Sequence, residues 1–345
     1  MGAQVAIACA DLETAIAFYE GLGLRLDMIM PADAPRLAAM SGYGIALRLE
    51  VEAASAESAP VAAGAYGHEF LIVRASDAWG IGRAGMQYRD LIPGRLGGRV
   101  IASLIRIAGG GPVADYVHHH RVRFQMIYCR RGWVRVVYED QGPAFVMQAG
   151  DCVLQPPGIR HRVLESSPAL EVIEVSAPAG HETYRDHALE LPTAAVRSER
   201  LFAGQRFVRH VAAEAAWRRD ASGAFDIRDS GIAQASAGEG SVRVLRARSE
   251  AIATEAAAHR HDGELLFLTV LDGQLRVQCP TFGAHELSPG DACVIPPGAE
   301  YMLAAGAPCE VLEVAMLRAL PNIHPGLSGA GSRERSVLRP LRAGT

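Results

Sequence analysis

Residues 111–132 read GPVADYVHHHRVRFQMIYCRRG, and residues 150–165 read GDCVLQPPGIRHRVLE. His118 and His120 are two apart, so on an extended strand they share a face while His119 points away. Gln125 opens the next apolar strand, seven residues before Gly132. Gly150, Pro156 and Gly158 make a tight-turn segment that delivers a third imidazole, His161. A lone histidine is more often a core or surface residue than a ligand, but three in one two-part pattern are different. Two close imidazoles, one remote imidazole and a side-chain oxygen compose a metal cage, because neutral imidazole suits Fe, Zn, Cu and Ni. Tyr116 has the inward parity of His118 and His120, which makes it either a catalytic hydrogen-bond donor in the pocket or a core aromatic. Arg160 and Arg162 have the parity opposite to His161.

At these positions the chain resembles the cupin superfamily. That family's first motif sets two histidines one apart between two glycines, with an acid shortly after them. Its second is Gly, Pro, Gly and His at set spacing. Gly111, His118, His120, Gln125 and Gly132 match the first, and Gly150, Pro156, Gly158 and His161 the second. Two departures stand out. Six residues rather than five separate Gly111 from His118, and glutamine stands where the family has glutamate. The resemblance implies a small jelly-roll barrel with a metal site at its mouth.

The remainder of the sequence bounds the answer. At 345 residues the chain can hold two or three domains with substantial cores. A net charge of −4 argues against a general polyanion binder, and no nucleic-acid-binding element is legible. Six cysteines are scattered without a CxxC pair, several in apolar strand-like runs, so buried thiols in a reducing compartment are expected. No N-terminal leader pattern and no 18-residue apolar run are present, so a cytoplasmic protein without a membrane span is expected.

Residues 4–52 read as strand, helix, then strands. Asp11 caps the helix, Ile16, Phe18 and Tyr19 supply its apolar contacts, and Gly21 and Gly23 stop it. On the stretch DLETAIAFYEGLGLRL this segment resembles one βαβββ module of the vicinal-oxygen-chelate (glyoxalase and extradiol dioxygenase) superfamily. That likeness maps half a metal site onto Gln4 and Glu50; the alternative is a packing or dimer-forming role. A lone half-module leaves a sheet edge or face that a second copy of the chain could cover, so a homo-oligomer is expected.

From Gly67 onward the sequence repeats itself. Met86–Asp90 returns as Phe225–Asp229, and His118 and His120 as His259 and His261. Gly132 returns as Gly273, Gly150-Asp as Gly290-Asp, Pro156-Pro-Gly as Pro296-Pro-Gly, and LEVIEV (170–175) as CEVLEV (309–314). The offset holds between 139 and 141, which means two similar domains rather than a solenoid. The expected fold class is mainly β: two tandem cupin barrels preceded by a small α+β module. The segmentation is 1–54 module, 55–66 Ala-rich linker, 67–188 first barrel, 189–318 second barrel and 319–345 tail. A structural salt bridge is expected for the repeated Arg89-Asp and Arg228-Asp pairs.

Aligning the repeats puts Leu266 where Gln125 stands and Tyr301 where His161 stands. The second barrel keeps His259 and His261 but loses both other donors, with Glu264 as a possible substitute. In the first barrel, His118, His120 and His161 hold the metal, and Gln125 is a weak fourth ligand or an outer hydrogen-bonding group. All four are neutral, so the metal keeps its charge, which favours a small anionic substrate such as an enolate, thiol or aromatic acid. The same reading leaves no metal-adjacent carboxylate to act as a general base. Three-histidine cupins resemble dioxygenases, which implies a metal-dependent oxygenase using O₂ with Fe(II), or with Ni, Mn, Zn or Cu. The alternatives are a cupin isomerase or lyase using the metal as a Lewis acid, and a non-catalytic metabolite-binding cupin.

Overall fold

The computed structural model describes residues 4–52, 69–82, 86–248, 257–306 and 308–317. The Ala-rich linker and the C-terminal tail expected from the sequence lie outside these residues. The chain divides into two compact units, Met1–Tyr66 with Ala78–Ala213, and Gly67–Asp77 with Glu214–Thr345. It is mainly β, in tandem jelly-roll barrels, as the alternating runs and their Gly and Pro punctuation imply.

The first unit begins with the βαβββ order: Val5–Cys9, helix Leu12–Gly21, Arg25–Met30, Leu37–Gly42 and Ile45–Val51. Asp11 is extended and its carboxylate accepts from the Thr14 amide at 2.7 Å, capping the helix. Gly23, at φ +89°, donates to the Glu20 carbonyl and closes it. Leu12, Ala15, Ile16 and Tyr19 share the face that packs on Leu26, Ile29, Ala38, Met40, Leu47 and Leu49. Phe18 does not join them. It is 60 % exposed and meets Tyr19 edge-on, because it lies outside the 12–15–16–19 stripe of a 3.6-residue helix.

The module's sheet does not stop at its own last strand. Arg25–Met30 pairs with Thr183–Arg185, which pairs with His118–His120, then His161–Ser166, Trp133–Tyr138 and Phe145–Gln148. The facing sheet runs Val208–His210, Cys152–Leu154, Phe124–Arg131, Leu170–Ala177, Ile101–Ile107, Gln87–Asp90 and Gly80–Ile81. Between the sheets lie Cys129, Val134, Val136, Tyr138, Met147, Val153, Ile159 and Leu170.

The second unit repeats the plan. One sheet includes Phe225–Asp229, Gly240–Ala247, Glu310–Met316, Leu265–Asp272 and Ala292–Val294; the other carries His259–Arg260, Glu300–Ala305, Leu275–Cys279 and Gly283–Leu287. Each unit also recruits a strand from beyond its main stretch of sequence. Leu71–Val73 pairs with Ala292–Val294 of the second barrel, and Val208–His210 with Cys152–Leu154 of the first.

The repeated arginines lie over tryptophans. Arg89 and Arg106 flank Trp79 at 5.5 and 4.0 Å, and Arg228 and Arg246 flank Trp217 at 4.9 and 3.9 Å. All six cysteines are free, and five are buried. Among the described residues no helix is long and apolar enough to cross a membrane.

One buried ion-pair cluster makes the first barrel's stability depend on pH. Glu171, 3 % exposed, accepts from Arg106 Nη2 at 2.6 Å and also pairs with Arg130. Burial alone would raise its pKa, but the two guanidiniums hold it below the ordinary value. A carboxylate depressed in the folded state stabilises above its unfolded pKa, about 4.3, and that contribution is lost as pH falls through the folded value. Thermal melting at a series of pH values should therefore show Glu171→Gln less stable than wild type at neutral pH. The gap should narrow below about pH 4. Parallel curves down to pH 3 would remove Glu171 from the acid limb.

Candidate metal centre

The cross-strand register places the three histidines together. His118 lies opposite His161 on the neighbouring strand, and His120 follows on the same face. Ring centroids are 4.3 Å apart for His118 and His161, 5.1 Å for His118 and His120, and 5.2 Å for His120 and His161. All three are buried, and each offers one nitrogen within 4.8 Å of the other two. Among the described residues no other group of three His, Cys, Asp or Glu side chains comes this close.

The outer nitrogens are held from behind. His118 Nδ1 meets the Tyr116 carbonyl at 2.8 Å with the buried Asp115 carboxylate at 3.5 Å, and His161 Nδ1 meets the Ile159 carbonyl at 3.1 Å. His120 Nδ1 bonds Thr183 Oγ1 at 2.9 Å. A carbonyl can only accept, so His118 and His161 carry their proton on Nδ1, and Nε2 is the nitrogen that can ligate. Outer partners of this kind fix ring orientation and tautomer in metal sites, and these residues fit an ion for that reason.

The histidines line a cavity of about 130 Å³ whose other walls include Ile101, Ile105, Ile127, Val134 and Val136. Gln125 also lines it, and its amide nitrogen donates to Glu174 at 2.8 Å. Its carbonyl oxygen is the only atom of that side chain with a lone pair to give a cation. Ser176 donates to the same Glu174 oxygen at 2.8 Å. No carboxylate joins the three histidines among the described residues, but Glu174 lines the same cavity, reaching it from a strand that pairs with Gln125's own.

Tyr116 does not line the cavity. It packs edge-on against His118, with the Arg185 guanidinium 4.7 Å from its ring centroid. The aromatic hydroxyl within the cavity belongs to Tyr138, which stacks on His161 at 5.4 Å and accepts from Gln155 Nε2 at 3.1 Å. Burial pushes its phenol pKa up, so it stays protonated. His119 turns outward and stacks on Tyr184. The N-terminal module reaches the cavity through Ala32 and Asp33, with Asp33 held by Arg95 at 2.5 Å. Gln4 and Glu50 serve elsewhere, Gln4 donating to the Leu47 carbonyl and Glu50 pairing with Arg48.

In the second barrel, His259 lies opposite Tyr301 and Leu266 opposite Ala315, which are the equivalents of His118–His161 and Gln125–Ser176. His261 Nε2 meets the Ile295 carbonyl at 2.8 Å. His259 lines one cavity with Tyr301, and His261 lines another with Asp229 and Ser241; Arg243 and Glu313 border both. Arg243 Nε donates to Glu313 at 2.8 Å, and Nη2 bonds the same oxygen. The register is the same in both barrels but the residue is not: Glu313 faces Arg243, whereas its counterpart Glu174 faces Ser103. Glu264 is buried but lines neither cavity.

The Cupin domain family model matches residues 103–175 and 250–315. Solved structures share the fold of the two barrels. Protein Ylba from E. coli, of family DUF861, is 12 % identical with a TM-score of 0.53, over 74 % of this chain and 94 % of that one. A mutant of Bacillus subtilis oxalate decarboxylase is 12 % identical with a TM-score of 0.53, over 72 % and 78 %. Lactobacillus farciminis oxalate decarboxylase in a formate complex is 15 % identical with a TM-score of 0.51, over 72 % and 86 %. At these identities the likeness is one of fold. No curated protein is significantly similar in sequence. The first 54 residues lie outside both family matches, so nothing here extends their likeness to the vicinal-oxygen-chelate family. The cupin fold and the three-histidine group together point to a divalent metal in the first cupin.

Proposed function

We propose that the protein is a metal-dependent cupin oxygenase of dioxygenase type, acting on a small anionic organic substrate with Fe(II) in the first cupin. The observation that carries the reading is the set of three imidazoles at one cavity, each with Nδ1 engaged from behind. His118, His120 and His161 would hold the ion, with the Gln125 oxygen as an added donor. Bound there, the ion would supply Lewis acidity and, as iron, the capacity to engage O₂.

The chain's own residues account for the remainder. Neutral ligands leave the ion's charge to an anionic substrate group. The isoleucine and valine walls favour a small organic body. Tyr138, protonated and stacked on His161, is a hydroxyl at the cavity wall.

Oxygen uptake by the Fe(II)-loaded protein, on addition of small thiols, enolisable acids and aromatic acids in turn, tests this. Uptake that depends on the substrate and is abolished in His161→Ala is the expected result.

A lyase or isomerase reading is favoured by one observation, the Glu174 carboxylate beside Gln125, which supplies the base that the sequence lacked. Two of the solved structures that share the fold are oxalate decarboxylases. Turnover under anaerobic conditions would select that reading over the oxygenase.

A further inference from the structure

A fourth histidine in the first cupin is held in the same manner as the ligand set. His181 is 4 % exposed and lines the metal cavity, with its ring edge-on to His120 at 5.4 Å. Its Nδ1 meets the Pro178 carbonyl at 2.9 Å. A carbonyl only accepts, so in the neutral ring Nδ1 carries the hydrogen and Nε2 presents a bare lone pair. Among the described residues no group bonds that nitrogen. His181 also stands outside the group of three that close around one point.

A buried acceptor without a protein partner is unfavourable unless an ordered water or a ligand supplies a donor. Nearby, Glu174 accepts from Gln125 and Ser176 and the Tyr138 oxygen accepts from Gln155, and none of these groups bonds His181 Nε2. The apolar walls offer nothing to His181. A ligand whose anionic group lies on the ion and whose own O–H or N–H reaches His181 would satisfy both demands.

We propose that His181 Nε2 is a specificity-determining hydrogen-bond acceptor, and that it selects small anions carrying a hydroxyl or amine donor next to the metal-binding group. The inference rests on the metal reading above and narrows its substrate class. Sites built to bond a ligand hydroxyl reject the analogue that lacks it, because the buried partner is then left unpaired.

The test uses the full-length protein loaded with Co(II), whose visible spectrum reports ligand binding, and two probes, glycolate and its O-methyl ether methoxyacetate. Wild type should prefer glycolate about tenfold more strongly than aqueous Co(II) does. In His181→Phe, which keeps a ring but no acceptor, the preference should fall to that of the aqueous ion while bound Co(II) stays at the wild-type level. His181→Gln, which keeps an acceptor oxygen, should recover part of it.

An unchanged preference in His181→Phe would overturn the inference, as would loss of Co(II) from that variant, since His181 would then serve the ion and not the ligand. If His181→Phe does not fold, wild type decides alone, and no preference beyond that of aqueous Co(II) overturns the inference. Wild type that takes up no Co(II) sinks the metal reading itself and this inference with it, a failure distinct from the others.

Discussion

Replacing His161 with alanine should empty the first cupin of its metal. Wild type purified without added metal and analysed by plasma mass spectrometry is expected to hold up to one ion per chain, and His161→Ala close to none. His161 is one of only three side chains in the converging group, and it comes from a different strand than the other two. Its loss leaves two imidazoles from one strand and the Gln125 amide, too few neutral donors for tight retention. Loss of an outer partner weakens metal sites by roughly 10–100-fold, and loss of a ligand should exceed that. Thr183→Val, which keeps the shape but removes the hydroxyl on His120 Nδ1, should fall within that range with stoichiometry preserved at saturating metal. His259→Ala and His261→Ala should leave the metal content unchanged, because the Arg243–Glu313 pair lies between their cavities. Retention of the ion by His161→Ala, or its loss from the second-cupin variants, would overturn the assignment of the centre.

The second large effect concerns stability. Gly273→Ala should destabilise the second cupin by about 3 kcal/mol or more, with a melting transition lower by on the order of 10 °C. Gly273 adopts φ +70°, and a β-carbon there would lie 1.8 Å from the Pro308 carbonyl oxygen and 2.7 Å from Cys309 Cα. Those are backbone atoms entering the Glu310–Met316 strand, at the centre of its sheet, and they cannot move alone. The equivalent Gly132 adopts φ +76°, but its β-carbon would meet the Ser167 hydroxyl, which can rotate at the loss of its bond from the Trp133 amide. Gly132→Ala should therefore cost less, about 2 kcal/mol. Chemical denaturation of both variants measures the difference, and equal losses would count against the backbone clash as its cause.

The repeat that pairs these glycines was legible because it needs only sequence offsets. His118–His161 and His259–Tyr301 are cross-strand partners, as alignment of the two halves implies. Strand parity separated His118 and His120 from His119, and Asp11 marked the helix start. Parity could not decide Tyr116. It fixes a side of the strand but not whether a side chain at the strand's end reaches the cavity, and Tyr116 packs against Arg185 instead.

What the sequence by itself determined, then, is what local periodicity carries: which imidazoles share a face, which turn returns the third, and that the whole plan occurs twice. The tertiary structure alone decided which remote strands lie beside them. Glu174 and Thr183 reach the centre through sheet order and register, His181 comes from the segment just before Thr183, and Leu71–Val73 joins a barrel more than two hundred residues further along the chain. In the second cupin the same pairing sets Arg243 against Glu313 where the first has Ser103 against Glu174, and the arginine borders both of the cavities that its histidines line. An alternation of period two records the side to which a residue points, and only the closed sheet records what stands opposite it.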